Sequence, residues 1–278
     1  MRAAVVQLNS GADKARNLEV AERLVRAAAA AGAALVVLPE KWTVLGDAEA
    51  LREGAEPIDG PAIGVVRSWA SELGAHIVAG SIAERVDGDD RLSNTSILIN
   101  ANGELAAVYR KLHMFDVDVG GVAYRESEHE RPGDEIVTAS AGEVEVGLSV
   151  CYDLRFPELY RILALRGARV IAVPSAFTLA TGRDHWDVLL RARAIENQAF
   201  VVAANQFGDA PPHYTSYGRS AIVDPWGVVL ARAPDGESFA VAELDFAALE
   251  RVRRTLPSLA RRRPDAYRWP ELPTEVGS

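Results

Sequence analysis

The sequence predicts a mixed-sheet α/β fold. Short continuous apolar runs read as buried strands, segments of helical period alternate with them, and tight-turn signals join some neighbouring strands directly. Arg2 to Leu8 is apolar and β-branched enough for a buried strand. Lys14 to Ala31 places Leu18, Leu24 and Val25 at helical spacing, and Gly32 stops it. Leu35 to Leu38 is a short strand ending at Pro39-Glu40. Pro61 to Leu73 reads as a helix, with Pro in its first turn and Gly74 beyond its end. His76 to Gly80 is a strand. Ser93 to Ile99 and Leu105 to Tyr109 flank Asn102-Gly103, a hairpin signal. Residues 112–135 show no clear period, so a long loop is expected there; such loops in compact domains tend to be functional.

The second half repeats the style. A strand from Val144 to Val150 runs into Cys151, and a helix from Glu158 to Arg166 ends at Gly167. A strand from Val170 to Val173 is stopped by Pro174; a helix from His185 to Asn197 and a strand from Phe200 to Ala204 follow. Ile222-Val223 and Val228 to Leu230 flank Asp224-Pro-Trp-Gly227, a tight hairpin in which Trp226 is expected to pack. Phe239 to Leu244 is a strand and Phe246 to Leu256 a last helix. No linker, repeat or low-complexity tract divides the chain, so one domain over residues 1–278 is the simplest organisation.

Composition narrows the function classes. The chain has 278 residues, 30 Lys plus Arg against 39 Asp plus Glu, a net charge of −9 and 49% hydrophobic residues. That much apolar surface argues against disorder. The lone cysteine, Cys151, excludes an internal disulfide framework and any multi-thiolate metal site. The N-terminus reads as a strand rather than a signal peptide, and no apolar run reaches membrane-spanning length. A cytoplasmic protein with no membrane partner is expected. A pI near 5.2 argues against nucleic acid as a partner. The local exception, Arg251, Arg253, Arg254 and Arg261 to Arg263, reads as a solvated helix face docked through its apolar residues.

Several chemistries are missing. There is no phosphate-binding glycine loop, and the five histidines lack ligand spacing, so no metal is expected. Gly147-Leu-Ser149-Val-Cys151 fails as a serine elbow because its last position is Cys; Ser149 reads as a packed polar residue. Cys151 itself sits at a strand-to-helix turn, where a nucleophile projects outward beside backbone N–H groups. An inert core thiol remains the alternative. Glu40 and Lys111 stand directly after two other strands, at sheet ends where ligands bind. Together the three supply a base, a cation and a thiol for acyl transfer.

Three stretches are highly specific: Leu38-Pro-Glu40, Tyr109-Arg-Lys-Leu-His-Met-Phe-Asp116 and Gly147-Leu-Ser-Val-Cys-Tyr-Asp-Leu-Arg-Phe-Pro-Glu158. With them the chain resembles the nitrilase superfamily of carbon–nitrogen hydrolases nearly end to end. Pro174-Ser-Ala-Phe-Thr178, Thr181-Gly182, His185-Trp186 and Tyr217-Gly-Arg-Ser220 are similar to the branch of deaminated-glutathione amidases and ω-amidases. The resemblance implies a four-layer α-β-β-α sandwich with two mixed sheets. It also implies Glu40, Lys111 and Cys151 as the catalytic set, a further glutamate at Glu126 with Glu128 as the alternative, and no cofactor. The resemblance implies hydrolysis of a linear carboxamide to acid and ammonia through a cysteine thioester, with deaminated glutathione or a similar ω-amide of a keto acid as the expected substrate; N-carbamoyl, nitrile or aliphatic amide hydrolysis and a silent binding protein remain alternatives. Tyr152 is expected to lend its N–H to the oxyanion. Thr178 and Arg155 are candidate substrate contacts, although Arg155 fits a pairing with Asp153 or Glu158 equally well. Arg183 and residues 207–217 are read as pocket rim. Arg191, Arg193 and Glu196 are read as structural ion pairs. A homodimer formed through helices and the tail from about residue 257 to 278 completes what the resemblance implies.

Overall fold

The computed structural model describes residues 1–210 and 214–270. The first half comprises β1 (Arg2–Gln7), α1 (Lys14–Ala30), β2 (Leu35–Val37), α2 (Ala48–Gly54), α3 (Pro61–Leu73), β3 (His76–Val78), β4 (Ile82–Glu84), β5 (Leu92–Ile99) and β6 (Leu105–Arg110). A connecting segment carries β7 (Asp116–Val119), β8 (Val122–Arg125) and β9 (Glu130–Arg131). The second half begins with β10 (Thr138–Ala141), β11 (Val144–Leu148), α4 (Pro157–Leu165), β12 (Val170–Ala172), α5 (Leu179–Asn197) and β13 (Phe200–Ala203). It continues with β14 (Phe207–Ala210), β15 (Tyr214–Tyr217), β16 (Ala221–Val223), β17 (Val229–Arg232), β18 (Ser238–Glu243) and α6 (Phe246–Thr255).

Two mixed sheets result. One runs β18-β1-β2-β3-β5-β4, with β6 and β9 also paired to β5; the other runs β10-β11-β12-β13-β16-β17. The strands β1, β2 and β3 are parallel, as are β11, β12 and β13, because helices make the crossovers. Alternation along β1 shows the layering. Ala3 and Val5 join a core shared with Val146, Leu148 and Val170 of the second sheet, whereas Ala4 and Val6 pack on Leu24 and Val25 of α1 and Ile63 and Val66 of α3. Trp186 and Leu190 of α5 and Leu159 and Leu163 of α4 cover the other outer face. This is the four-layer α-β-β-α sandwich. Each fully buried Val, Leu or Ile contributes roughly 1.5–3 kcal/mol.

Several elements depart from the expectation. The stretch 112–135 is not one loop: β7 and β8 form an antiparallel hairpin, and β9 adds to β5 in parallel. Its turn is Gly120-Gly121, both at positive φ (64° and 78°), the geometry a two-residue hairpin of this hand requires. Helix α5 begins six residues earlier than the periodicity indicates, because Thr178 caps it by accepting from the Thr181 N–H. Residues 207–217 carry β14 and β15 rather than a plain loop; 211–213 lie outside the described residues. Trp226 does not pack: it is 60% exposed, at the tip of a turn built by Asp224 Oδ1 accepting from the Trp226 and Val228 N–H groups. Leu256 is exposed, but α6 does dock through apolar residues, Leu249 and Phe246, and Arg253 adds hydrogen bonds to the carbonyls of Gln198 and Ala168. Arg193 pairs with Glu196 at 2.8 Å as expected, but Arg191 donates to the Gly227 carbonyl. Residues 271–278 of the expected interface tail lie outside the described residues.

Gly80 ties the fold to the strand end that bears Glu40. Its φ is 54°, and a Cβ there would lie 2.0 Å from the Pro39 carbonyl oxygen. Gly80→Ala is therefore expected to destabilise the protein by roughly 2–4 kcal/mol, read by urea denaturation; a loss under about 0.5 kcal/mol would contradict this backbone contact.

Candidate active site

Glu40, Lys111, Glu126 and Cys151 converge on one cavity of about 430 Å³. Pro39 turns the chain after β2, and the Glu40 N–H donates to the Ser175 carbonyl of the second sheet at 3.3 Å. Lys111 leaves β6 with its N–H on the Asn94 carbonyl at 2.9 Å. Cys151 leaves β11 in a left-handed conformation, φ 47°, with its N–H on the Pro174 carbonyl at 2.8 Å. A short 3-10 turn, Cys151–Arg155, follows before α4. Tyr152 lies in the first positions of that turn, where a backbone N–H has no partner within the helix.

Asp153 fastens these segments together. It is fully buried; Oδ2 accepts from Tyr109 Oη at 2.6 Å and from the Val150 N–H at 2.8 Å. Its Oδ1 accepts the His113 N–H at 3.2 Å and lies 2.7 Å from His113 Nδ1. Residues on both sides of Lys111 are thus tied to residues on both sides of Cys151. Ser149 is packed, as expected, bonding the Ala172 carbonyl and Tyr160 Oη.

The side chains form a charge network. Lys111 Nζ lies 3.1 Å from Glu40 Oε1 and 2.9 and 2.7 Å from the two oxygens of Glu126. Glu40 Oε1 also accepts from Asn94 Nδ2 at 2.8 Å, and Oε2 from the Ala176 N–H at 2.8 Å. Glu126 Oε2 accepts the Phe115 N–H at 2.7 Å, which identifies Glu126, not Glu128, as the glutamate against Lys111. Lys41, Asn94 and Glu130 also join the cluster, and sequence reasoning missed all three. A run of four polar residues, Ser93 to Ser96, inside an otherwise apolar strand was the available signal for Asn94.

Burial opposes charge on Lys111, but Glu126 and Glu40 outweigh it and hold the ammonium well above the usual lysine range. Burial also opposes ionisation of Glu126, yet Lys111 and Lys41 hold its carboxyl well below the usual range. Burial pushes the Cys151 thiol well up, and the Glu40 carboxylate adds to this; the attraction of Lys111 is outweighed. The thiol thus rests neutral, with the Glu40 carboxylate as its hydrogen-bond partner.

Further out, Arg155 and Thr178 both line the cavity. Among the described residues Arg155 forms no ion pair with Asp153 or Glu158. Its guanidinium lies over the Phe177 ring at 5.0 Å and 3.1 Å from His185 Nδ1. Thr178 Oγ1 bonds Thr181 Oγ1 at 2.8 Å. Arg183 is exposed and outside the lining; the described residues of 207–217 are outside the lining as well. The lip comes instead from Val122, Tyr124 and Arg125 of the β7–β8 hairpin and from Leu45 to Leu51.

A buried thiol, a carboxylate and an ammonium meeting in one cavity at the strand ends are a set that can carry nucleophilic acyl transfer. The chain belongs to the carbon-nitrogen hydrolase family, whose model matches residues 2–254. It is 42% identical over 275 residues to deaminated glutathione amidase of Homo sapiens, covering 95% of this chain and 83% of that protein. It is 38% identical to omega-amidase NIT2 of Danio rerio, covering 96% of each. The NitFhit protein of C. elegans superposes with a TM-score of 0.89 at 35% identity, over 96% of this chain and 66% of that longer one. The chain is thus a hydrolase of non-peptide carbon–nitrogen bonds, an amidase.

The neutral thiol has a direct readout. Alkylation of Cys151 by iodoacetamide is expected to be slow at pH 7 and to keep rising above pH 9, because burial moves the pKa upward and leaves little thiolate below it. A fast rate, flat between about pH 6 and 8, would contradict it.

Proposed function

We propose that this amidase hydrolyses the ω-carboxamide of a small keto acid, deaminated glutathione or a compound like it, through a thioester on Cys151. The observation that carries this reading is that Glu40, Lys111 and Cys151 meet at one buried point beside the start of a helix. In the proposed reaction the Cys151 sulfur attacks the amide carbonyl while its proton passes to Glu40. The oxyanion receives hydrogen bonds from the Lys111 ammonium and the Tyr152 N–H. Glu40 returns the proton to the departing nitrogen, releasing ammonia and leaving the thioester. It then takes a proton from water, whose oxygen attacks the thioester; the carboxylic acid leaves and the thiol is restored. Glu126 holds Lys111 through two hydrogen bonds, so the ammonium keeps its place as charge develops.

Substrate choice rests on Arg155. Its charge lies at the cavity with an imidazole and an aromatic ring as neighbours, a setting in which a guanidinium can take a substrate carboxylate in bidentate fashion. Thr178 offers a hydroxyl on the same wall. The amide names of the human and zebrafish relatives favour this substrate class over N-carbamoyl compounds or nitriles.

Cys151→Ala and Lys111→Met are each expected to remove turnover by at least about 10²-fold while the protein stays folded by circular dichroism. Ammonia release should be faster from deaminated glutathione and α-ketoglutaramate than from simple aliphatic amides, and Arg155→Met should erase most of that preference through KM. Full activity in Cys151→Ala, or an unchanged preference in Arg155→Met, would count against the respective assignment.

We also propose a cytoplasmic homodimer. A single cysteine leaves no second thiol to trap Cys151 in an internal disulfide. Val188 and Ile195 on α5 are exposed, Gly227 of the adjoining turn abuts Ile195, and the neighbouring Trp226 is exposed. Trp269 in the tail is 80% exposed. Apolar surface of this kind marks association sites. Light scattering at micromolar concentration should give twice the 29.9 kDa chain mass; a single-chain mass would contradict the dimer.

A further inference from the structure

Lys41 directly follows Glu40, and both side chains enter the same cavity. Successive residues on an extended chain point to opposite sides. Lys41 escapes that rule because its backbone is left-handed, φ 50°, a conformation that residues bearing a Cβ adopt only under constraint. The constraint is visible: the Lys41 N–H donates to Ser81 Oγ at 3.1 Å, and the Trp42 N–H to the Ser81 carbonyl at 3.3 Å.

The ammonium so placed lies 3.2 Å from Glu126 Oε1 and 2.5 Å from Glu130 Oε1. Glu130 is 1% exposed, and among the described residues its Oε2 has no hydrogen-bond partner. A buried ion pair with an unpartnered oxygen stabilises a fold less well than apolar packing would. Stability therefore does not explain why a strained backbone delivers Lys41 here. The geometry at Glu126 does: its Oε1 is shared by Lys41 and Lys111, so the carboxylate is pinned from two sides.

We propose that Lys41 is a positioning residue of the reaction: anchored by Glu130, it fixes the Glu126 carboxylate against Lys111 and so keeps the Lys111 ammonium aimed at the oxyanion. This rests on the assignment of Glu40, Lys111 and Cys151 given above. The charged groups facing Lys41 are Glu40, Glu126, Glu130 and Lys111. Burial pushes the Glu130 carboxyl up to about 7 against the pull of Lys41, consistent with one excess negative charge among three carboxylates and two ammoniums.

The test compares Lys41→Met, Lys41→Arg and the double variant Lys41→Met with Glu130→Gln. Lys41→Met is expected to lower kcat by about tenfold to a hundredfold, with KM moving by less than about threefold. Lys41→Arg, which keeps the charge, retains most activity. The double variant stays as slow as Lys41→Met, since Glu126 still lacks its second cation. Recovery of wild-type kcat in the double variant overturns the proposal, because Lys41 would then serve only to neutralise Glu130.

The pH profile gives a second reading. Removing a cation raises the pKa of neighbouring carboxylates, so the acid limb of kcat/KM should move up by about one pH unit in Lys41→Met and not in Lys41→Arg. An unmoved limb with a lowered melting temperature marks a structural role and overturns the proposal. Iodoacetamide alkylation of Cys151 is followed on the same variants because it needs no amide. Its pH–rate curve should shift upward in Lys41→Met even if the substrate assignment fails; no shift overturns the positioning role by itself. If Lys41→Met fails to unfold cooperatively, Lys41→Gln carries the same comparison.

Discussion

The buried ammonium of Lys111, shared between Glu40 and Glu126, is the constraint around which the site is arranged. Its side chain is 2% exposed, and the partner carboxylates are 4% and 10% exposed. Charges removed from water this far need one another: breaking such a buried pair costs about 3–5 kcal/mol. The same desolvation strengthens each interaction inside the cavity. It also keeps the Cys151 thiol neutral, and in the proposed reaction Glu40 takes its proton during attack.

The scaffold supplies that arrangement from parts far apart in the chain. Glu40 ends a strand of one sheet and Cys151 a strand of the other, and the packing of the sheets brings the two ends together. Asp153 then ties the elbow to the segment bearing Lys111 through Tyr109 and His113. The β7–β8 hairpin and the stretch from Leu45 to Leu51 form the lip. The site in this molecule thus depends on the packing of the two sheets.

Much of this was legible in the residues. Glu40, Lys111 and Cys151 each follow a short apolar run, and in an α/β protein that position is a ligand-facing edge. Helix α3 and the Asn102-Gly103 hairpin were plain because Pro, Gly and Asn act locally. What was not legible depended on tertiary context. Lys41 gave no signal, because on an extended chain it would point away from Glu40, and only the positive φ turns both into the cavity. Glu130 lay in a stretch without period, and its burial comes from pairing with Leu92, far off in sequence. Trp226 looked like core from its composition, but the turn that carries it faces outward. The hairpin at 116–125 had a signal, alternating Asp and Val before Gly-Gly, that the polar surroundings obscured.

The central claim is that amide cleavage passes through an acyl group on the one cysteine of the chain. Intact-protein mass spectrometry of a quenched reaction with a slowly hydrolysed amide tests it directly. The account predicts a transient mass gain equal to the amide less ammonia, located by peptide mapping to Cys151 and absent from Cys151→Ala. Turnover without any such gain in a substrate that shows an ammonia burst, or a gain mapping to another residue, would contradict it.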